Sequence, residues 1–168
     1  MVGLHVERRG SGPTLVLLHG FTQTGRSWGA VADDLATDHE VVLPDAPGHG
    51  GSAGISADLP EGADLLARSG GAATYVGYSM GARFCLHVAL QHPDLVRGLV
   101  LLGGTGGLDL PEEREARIAQ DRATAARLAD QGVEAFLDDW LGQPMFSGVP
   151  PSAAGLEDRR RNTVAGLR

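Results

Sequence analysis

Short apolar runs separated by helix-length stretches constrain this chain more than any other feature. Residues 15–18 read Leu-Val-Leu-Leu, residues 40–43 Glu-Val-Val-Leu, residues 74–77 Thr-Tyr-Val-Gly and residues 99–102 Leu-Val-Leu-Leu. Neighbours within each run are apolar together rather than in alternation, which is the signature of a strand buried on both faces. A further short strand over residues 4–8 joins the 14–18 strand through the turn Gly10-Ser-Gly-Pro13. Between the runs lie helical patterns. Ser27 can cap a helix with Trp28, Val31 and Leu35 on one face, and a weaker helix surrounds residues 64–68. Phe84, Cys85, Val88 and Ala89 form an apolar stripe on a helix that stops near Pro93. Strand and helix in alternation imply right-handed crossovers and a mostly parallel sheet flanked by helices, an α/β fold.

The alternation ends after Gly103. Pro111 occupies the first position of a charged helix whose positive end faces Glu112 and Glu113, and Gly132 can close it. A second helix follows at once, with Val133, Phe136, Leu137, Trp140 and Leu141 at spacings of three and four. Two helices with no strand between them predict a lid across the sheet. The 168 residues therefore divide into a core up to about residue 108 and a helical lid over 109–168 of a single domain.

Composition excludes several chemistries. The formal charge of −7 opposes a nucleic-acid or anionic-membrane partner, since either requires a basic face. One cysteine excludes an internal disulfide and a cysteine-cluster metal site. All 14 basic residues are arginine, so P-loop, Schiff-base and pyridoxal-type lysine chemistry is excluded too. No metal and no cofactor are expected. The first residues carry His5 and Glu7 where a signal peptide needs an apolar run, and the apolar runs are too short to span a bilayer, so a cytoplasmic protein is expected. Serine, histidine, carboxylate and arginine chemistry remain.

Gly77-Tyr78-Ser79-Met80-Gly81 is a G-x-S-x-G pattern, and Gly50-Gly51-Ser52-Ala53-Gly54 is a second. Only the first has a strand before the serine and a helix after it, the context that lifts a serine hydroxyl above a sheet. Ser79 is the expected catalytic serine, and Ser52 a loop residue. Leu17-Leu18-His19-Gly20-Phe21 ends another strand in His-Gly, which places the backbone N–H of Phe21 to join that of Met80 as an oxyanion hole.

His19-Gly20, Asp45-Ala-Pro-Gly-His-Gly50 and Gly77-Tyr-Ser-Met-Gly81, in that order, resemble the α/β-hydrolase fold. Ser79-Met-Gly-Ala-Arg83, the helix from Glu112 through Arg117 to Arg122, and Phe136-Leu-Asp-Asp-Trp140-Leu-Gly-Gln-Pro-Met-Phe146 resemble one branch, the 2-succinyl-6-hydroxy-2,4-cyclohexadiene-1-carboxylate synthases of menaquinone biosynthesis. The resemblance implies a lyase that removes a proton beside a carbonyl and releases pyruvate from a multi-carboxylate cyclohexene, with the serine as base. It implies substrate contacts from Tyr78, Arg83, Arg117, Trp140 and Arg161, because carboxylates suit guanidinium forks. Arg83, one helical turn past Ser79, is expected to be the most buried of these arginines. Cys85 reads as core, and His49 as a structural turn residue.

In this fold an acid and then a histidine follow the serine on later strands. All six histidines lie at or before residue 92, so the reading is of a C-terminally incomplete domain whose final strands, triad acid and triad histidine are absent. Two alternatives stay open: a serine hydrolase acting on esters or C–C bonds, and an inactive fragment. The expected partner is a small carboxylate substrate; the oligomeric state is open.

Overall fold

The computed structural model describes residues 3–168. Its five-stranded sheet has the order β1-β3-β2-β4-β5. The strands are β1 (Val6–Arg9), β2 (Thr14–Leu18), β3 (Glu40–Pro44), β4 (Ala73–Tyr78) and β5 (Val96–Leu102). β1 runs antiparallel to β3, and the other neighbouring pairs are parallel. The Gly10–Pro13 turn thus joins two strands that are not neighbours, because β3 lies between them.

Alternate residues of the central strands face opposite layers. Val16, Leu18, Val42 and Tyr75 point to one side, where they meet Leu66 of α2 (Leu59–Gly70) and Phe84, Cys85 and Val88 of α3 (Met80–Gln91). Leu17, Val41 and Leu43 point to the other, against Ala32 of α1 (Gly29–Leu35) and half-buried Trp28 and Leu35. Both faces are covered, which is why the runs lack polar alternation. α2 begins in a reciprocal capping box: Glu61 N–H donates to Asp58 Oδ1 (2.9 Å) and Asp58 N–H to Glu61 Oε2 (3.3 Å).

Two local expectations are corrected. Ser27 does not cap α1; it closes a capping box with Thr24 at the start of a 3-10 turn, Gly25–Trp28, that leads into it. Val31 is exposed, because the extra turn rotates α1 so that Ala32 faces the sheet instead.

Beyond β5 come α4 (Pro111–Leu141), α5 (Leu156–Arg159) and α6 (Val164–Leu167). α4 breaks at Gly132, whose φ of 77° and ψ of 173° lie outside helical values, in agreement with the two expected helices. On either side of the break, Leu128 and Phe136 pack against Leu167 and half-buried Val133, Trp140, Val164 and Phe21. No helix among the described residues is long and apolar enough to cross a membrane.

Candidate active site

β4 ends at Tyr78 and α3 begins at Met80, so Ser79 is the single residue of the bend. Its φ of 53° is one of only two positive values at non-glycine positions among the described residues. Such strain persists only where the surroundings impose it, and it clusters at functional sites. The flanking glycines show what imposes it. A β-carbon on Gly77 would collide with the backbone of Gly81 and Ala82, and one on Gly81 with the carbonyls of Leu18 and His19. The Ser79 N–H donates to Leu102 O (2.8 Å), which fixes the bend to β5. Its side chain makes no capping bond to α3. Ser52, by contrast, is buried in the 3-10 turn Gly50–Ser52, where its Oγ accepts the His5 N–H (2.9 Å).

Two histidines sit beneath the neighbouring loops with every ring nitrogen engaged. His19 Nε2 accepts the Ala46 N–H (3.0 Å), so its Nδ1 carries the proton and donates to Gly20 O (2.8 Å). Burial pushes its pKa down to about 3. His49 Nε2 accepts the Thr22 N–H (3.3 Å) while Nδ1 donates to Pro47 O (2.9 Å), and burial lowers its pKa too. Both are neutral brackets for loops. Among the described residues, no histidine or carboxylate hydrogen-bonds to Ser79.

The residues expected to hold substrate fall into two groups. Tyr78 lies over Gly20, with ring atoms 3.0 Å from where a β-carbon would stand. It lines a cleft of about 120 Å³ with His19, Gln23, Ser27 and Trp28. Phe21 meets Trp140 edge-to-face with ring centroids 5.2 Å apart, and Trp140 stacks on Phe136 at 5.9 Å. The loop bearing Phe21, the elbow bearing Tyr78 and Met80, and the second part of α4 therefore converge.

The three arginines do not join them. Arg83 is exposed, which corrects the expectation of burial: Gly81, Ala82, Phe84, Cys85 and Val88 form the inward side of α3, and residue 83 projects away from them. Arg117 is also exposed, paired with Asp121 one turn along α4 (Nε–Oδ1 2.8 Å), beside a separate open depression formed with Leu108, Glu113, Ala116 and Gln120. Arg161 stays half exposed, 4.0 Å from Asp158 Oδ1.

The arginine that does turn inward is Arg159, which the sequence reading passed over. It is only 6% exposed. Its Nε donates to Ala154 O (2.7 Å), and its Nη1 donates to Phe21 O (3.4 Å) and to Thr22 Oγ1. These acceptors are all neutral, and Arg159 makes no ion pair among the described residues. Burial pulls its pKa below the usual arginine value, opposed by Tyr78 and Asp158 nearby. A signal was available: in Arg159-Arg-Arg-Asn162, Leu156 and Arg159 share the spacing of one helical turn.

The α/β-hydrolase fold model matches residues 13–165, and the chain belongs to that family. Within it, the chain resembles 2-succinyl-6-hydroxy-2,4-cyclohexadiene-1-carboxylate synthases. It is 36% identical over 161 residues to that of Escherichia coli O1:K1, covering 91% of this chain and 60% of the relative. It is 37% identical over 149 residues to that of Yersinia pestis (strain Pestoides F), covering 84% and 54%. The chain thus spans about three fifths of the E. coli relative's length. Among solved structures, MenH from S. aureus matches with a TM-score of 0.84 at 24% identity, over 97% of this chain and 68% of that one. A thermophilic esterase from Thermogutta terrifontis matches at 0.77 and 23% identity, over 98% and 64%. These two likenesses show the shared fold.

Proposed function

We propose that these residues form the nucleophile-elbow half of a cytoplasmic carbon–oxygen lyase of menaquinone biosynthesis, which eliminates pyruvate from a multi-carboxylate cyclohexene to give 2-succinyl-6-hydroxy-2,4-cyclohexadiene-1-carboxylate. The observation that carries the reading is Arg159. A buried guanidinium whose hydrogen bonds all go to neutral acceptors has no ion-pair contact, a costly arrangement that a bound anion relieves. It grips the carbonyl of Phe21 itself. A substrate carboxylate held there lies beside the elbow.

In this reading Ser79 takes the proton next to a carbonyl, and the charge that develops on oxygen is met by the backbone N–H groups of Phe21 and Met80. Tyr78 walls the cleft, Trp140 backs the Phe21 ring, and the helices beyond residue 109 act as the cleft's lid. Arg83, Arg117 and Arg161 meet further carboxylates only if the lid moves over the cleft. Ser79 has no histidine partner among the described residues, so we infer that the 168-residue chain by itself does not turn over. A reactive phosphonate offered to this chain should label Ser79 slowly; rapid labelling contradicts that inference.

The exposure of Arg83, Arg117 and Arg161 favours one rival, a serine esterase with the same elbow. The test compares substrates in the full-length protein. Arg159→Met should cut pyruvate release by roughly 10- to 150-fold, the worth of one charge-assisted contact, and spare a small neutral ester. Equal loss on both substrates counts against the lyase reading, and no loss on either favours the esterase.

A further inference from the structure

The second non-glycine residue with positive φ is Thr22, at 67°, directly after Phe21. Its backbone and side chain are held at three points by groups far away in sequence. Thr22 N–H donates to His49 Nε2, its hydroxyl meets Arg159 Nη1, and its carbonyl accepts from Asn162 Nδ2 (2.7 Å). Asn162 is itself 5% exposed and fully used. Its Oδ1 accepts the Gly50 N–H (2.9 Å), and its Nδ2 also donates to Arg159 O (3.0 Å). One amide therefore ties together the loop after β2, the loop after β3 and the turn that follows α5. The chain seats closely here: Gly48 and Gly166 cross so tightly that a β-carbon on either would strike the other's carbonyl.

The chemistry of the amide is specific. Gly50 presents a donor and Thr22 an acceptor, and only a side chain that accepts on one end and donates on the other satisfies both. A carboxylate of the same shape would face the Thr22 carbonyl with negative charge, and a methyl would leave two buried backbone groups unpaired.

Resting on the oxyanion role read above for the Phe21 amide, we propose that Asn162 is a positioning residue: it holds Thr22 in its left-handed conformation and so aims the Phe21 N–H at the oxygen where charge develops. Asn162 touches no substrate; it acts through the Thr22 carbonyl. The strain of the loop is thereby imposed by the segment that carries Arg159, so the carboxylate-holding cation and the oxyanion donor are set by one element.

The experiment uses the full-length protein, as wild type and with Asn162→Asp and Asn162→Ala, with two probes and one exchange measurement. A boronic acid that becomes a tetrahedral anion on Ser79 reads the oxyanion donors, and succinate reads carboxylate binding. Affinity for the boronate should fall about tenfold or more while that for succinate stays within about twofold of the wild type. Hydrogen exchange at the Thr22 amide should quicken while the β2 and β3 amides keep their wild-type protection. Unchanged boronate affinity or unchanged Thr22 exchange overturns the proposal, and so does parallel loss of both ligands, which marks Asn162 as a fold residue only. A wild-type protein that takes no boronate overturns the oxyanion role and the proposal with it. A wild-type protein that takes boronate but no succinate overturns the carboxylate reading alone, and the boronate and exchange results then decide the role of Asn162.

Discussion

The two ends of α4, which breaks at Gly132, have opposite fates. Before the break, residues 111–123 are all exposed, and the exposed stretch begins back at Val100 of β5. After it, Phe136 and Leu137 are buried, and Phe136 and Trp140 press on the Phe21 ring. The difference lies in side-chain supply. Up to residue 123 the helix offers Ile118 and small alanines among charges, too little apolar area to hold it against a sheet, and only Leu128, one turn before the break, is buried. Beyond the break it offers aromatic and aliphatic groups at helical spacing, and they close over the loop that carries the proposed oxyanion donor. A helix can thus be half scaffold and half free arm, and only the scaffold half reaches the site.

Removing contact area should expose this asymmetry most sharply. Phe136→Ala is expected to cost about 3–5 kcal/mol of unfolding free energy, as a buried aromatic does, while Ile118→Ala should stay within about 0.5 kcal/mol. Urea unfolding of the two variants checks it, and equal effects would break the comparison. Acid should act on the scaffold side next. His19 is neutral in the folded chain with a pKa near 3, against an ordinary value of 6.5 when unfolded. The unfolded state then binds the extra proton, so stability present above pH 6.5 is lost as pH falls toward 3. The loss for one such imidazole is about 1.4 kcal/mol per pH unit, and His49 adds in the same direction. Melts taken between pH 7 and 4 should show it, and a His19→Gln variant should flatten the slope.

At the break itself, Gly132→Ala should cost about 1 kcal/mol or more, because φ of 77° strains any residue with a β-carbon. If the variant instead gains stability, the two parts are one straight helix in solution. The smallest effect belongs to the free arm: Arg117→Ala removes only an exposed pair with Asp121, worth about 0.3–0.5 kcal/mol in thermal unfolding.

Much of this was legible in the sequence, for physical reasons. The apolar runs that became β2 and β3 are buried on both faces, which is what their unbroken apolar pattern encodes; the same pattern in Leu99–Leu102 of β5 leaves Val100, Leu101 and Leu102 exposed at the sheet edge, which the run alone did not tell. The elbow glycines are demanded by backbone collisions that any copy of the bend would suffer. The break at Gly132 and the loop fate of Ser52 were legible in the same way. The arginines were not. Helical spacing places residue 83 one turn past Ser79 but does not say which side of α3 turns inward; that depends on the close approach of Gly81 to the end of β2 and of Ala82 to Gly77 of β4. The spacing of Leu156 and Arg159 puts the two on one side of α5 but does not say what that side meets, since the partners of Arg159, Phe21 and Thr22, lie some 137 residues earlier. Asn162 escaped notice for the same reason: its meaning is two bonds to loops distant in the chain, at Gly50 and Thr22.

The central claim is that the buried guanidinium of Arg159, beside Phe21 and Tyr78, is a carboxylate-holding group. Calorimetric titration of the protein with succinate tests it most directly, comparing wild type with Arg159→Met, Arg83→Ala and Arg161→Ala. The account predicts that Arg159→Met loses roughly tenfold or more in affinity while the two variants of exposed arginines stay close to wild type. Undiminished binding by Arg159→Met, with loss in Arg83→Ala or Arg161→Ala, would contradict it.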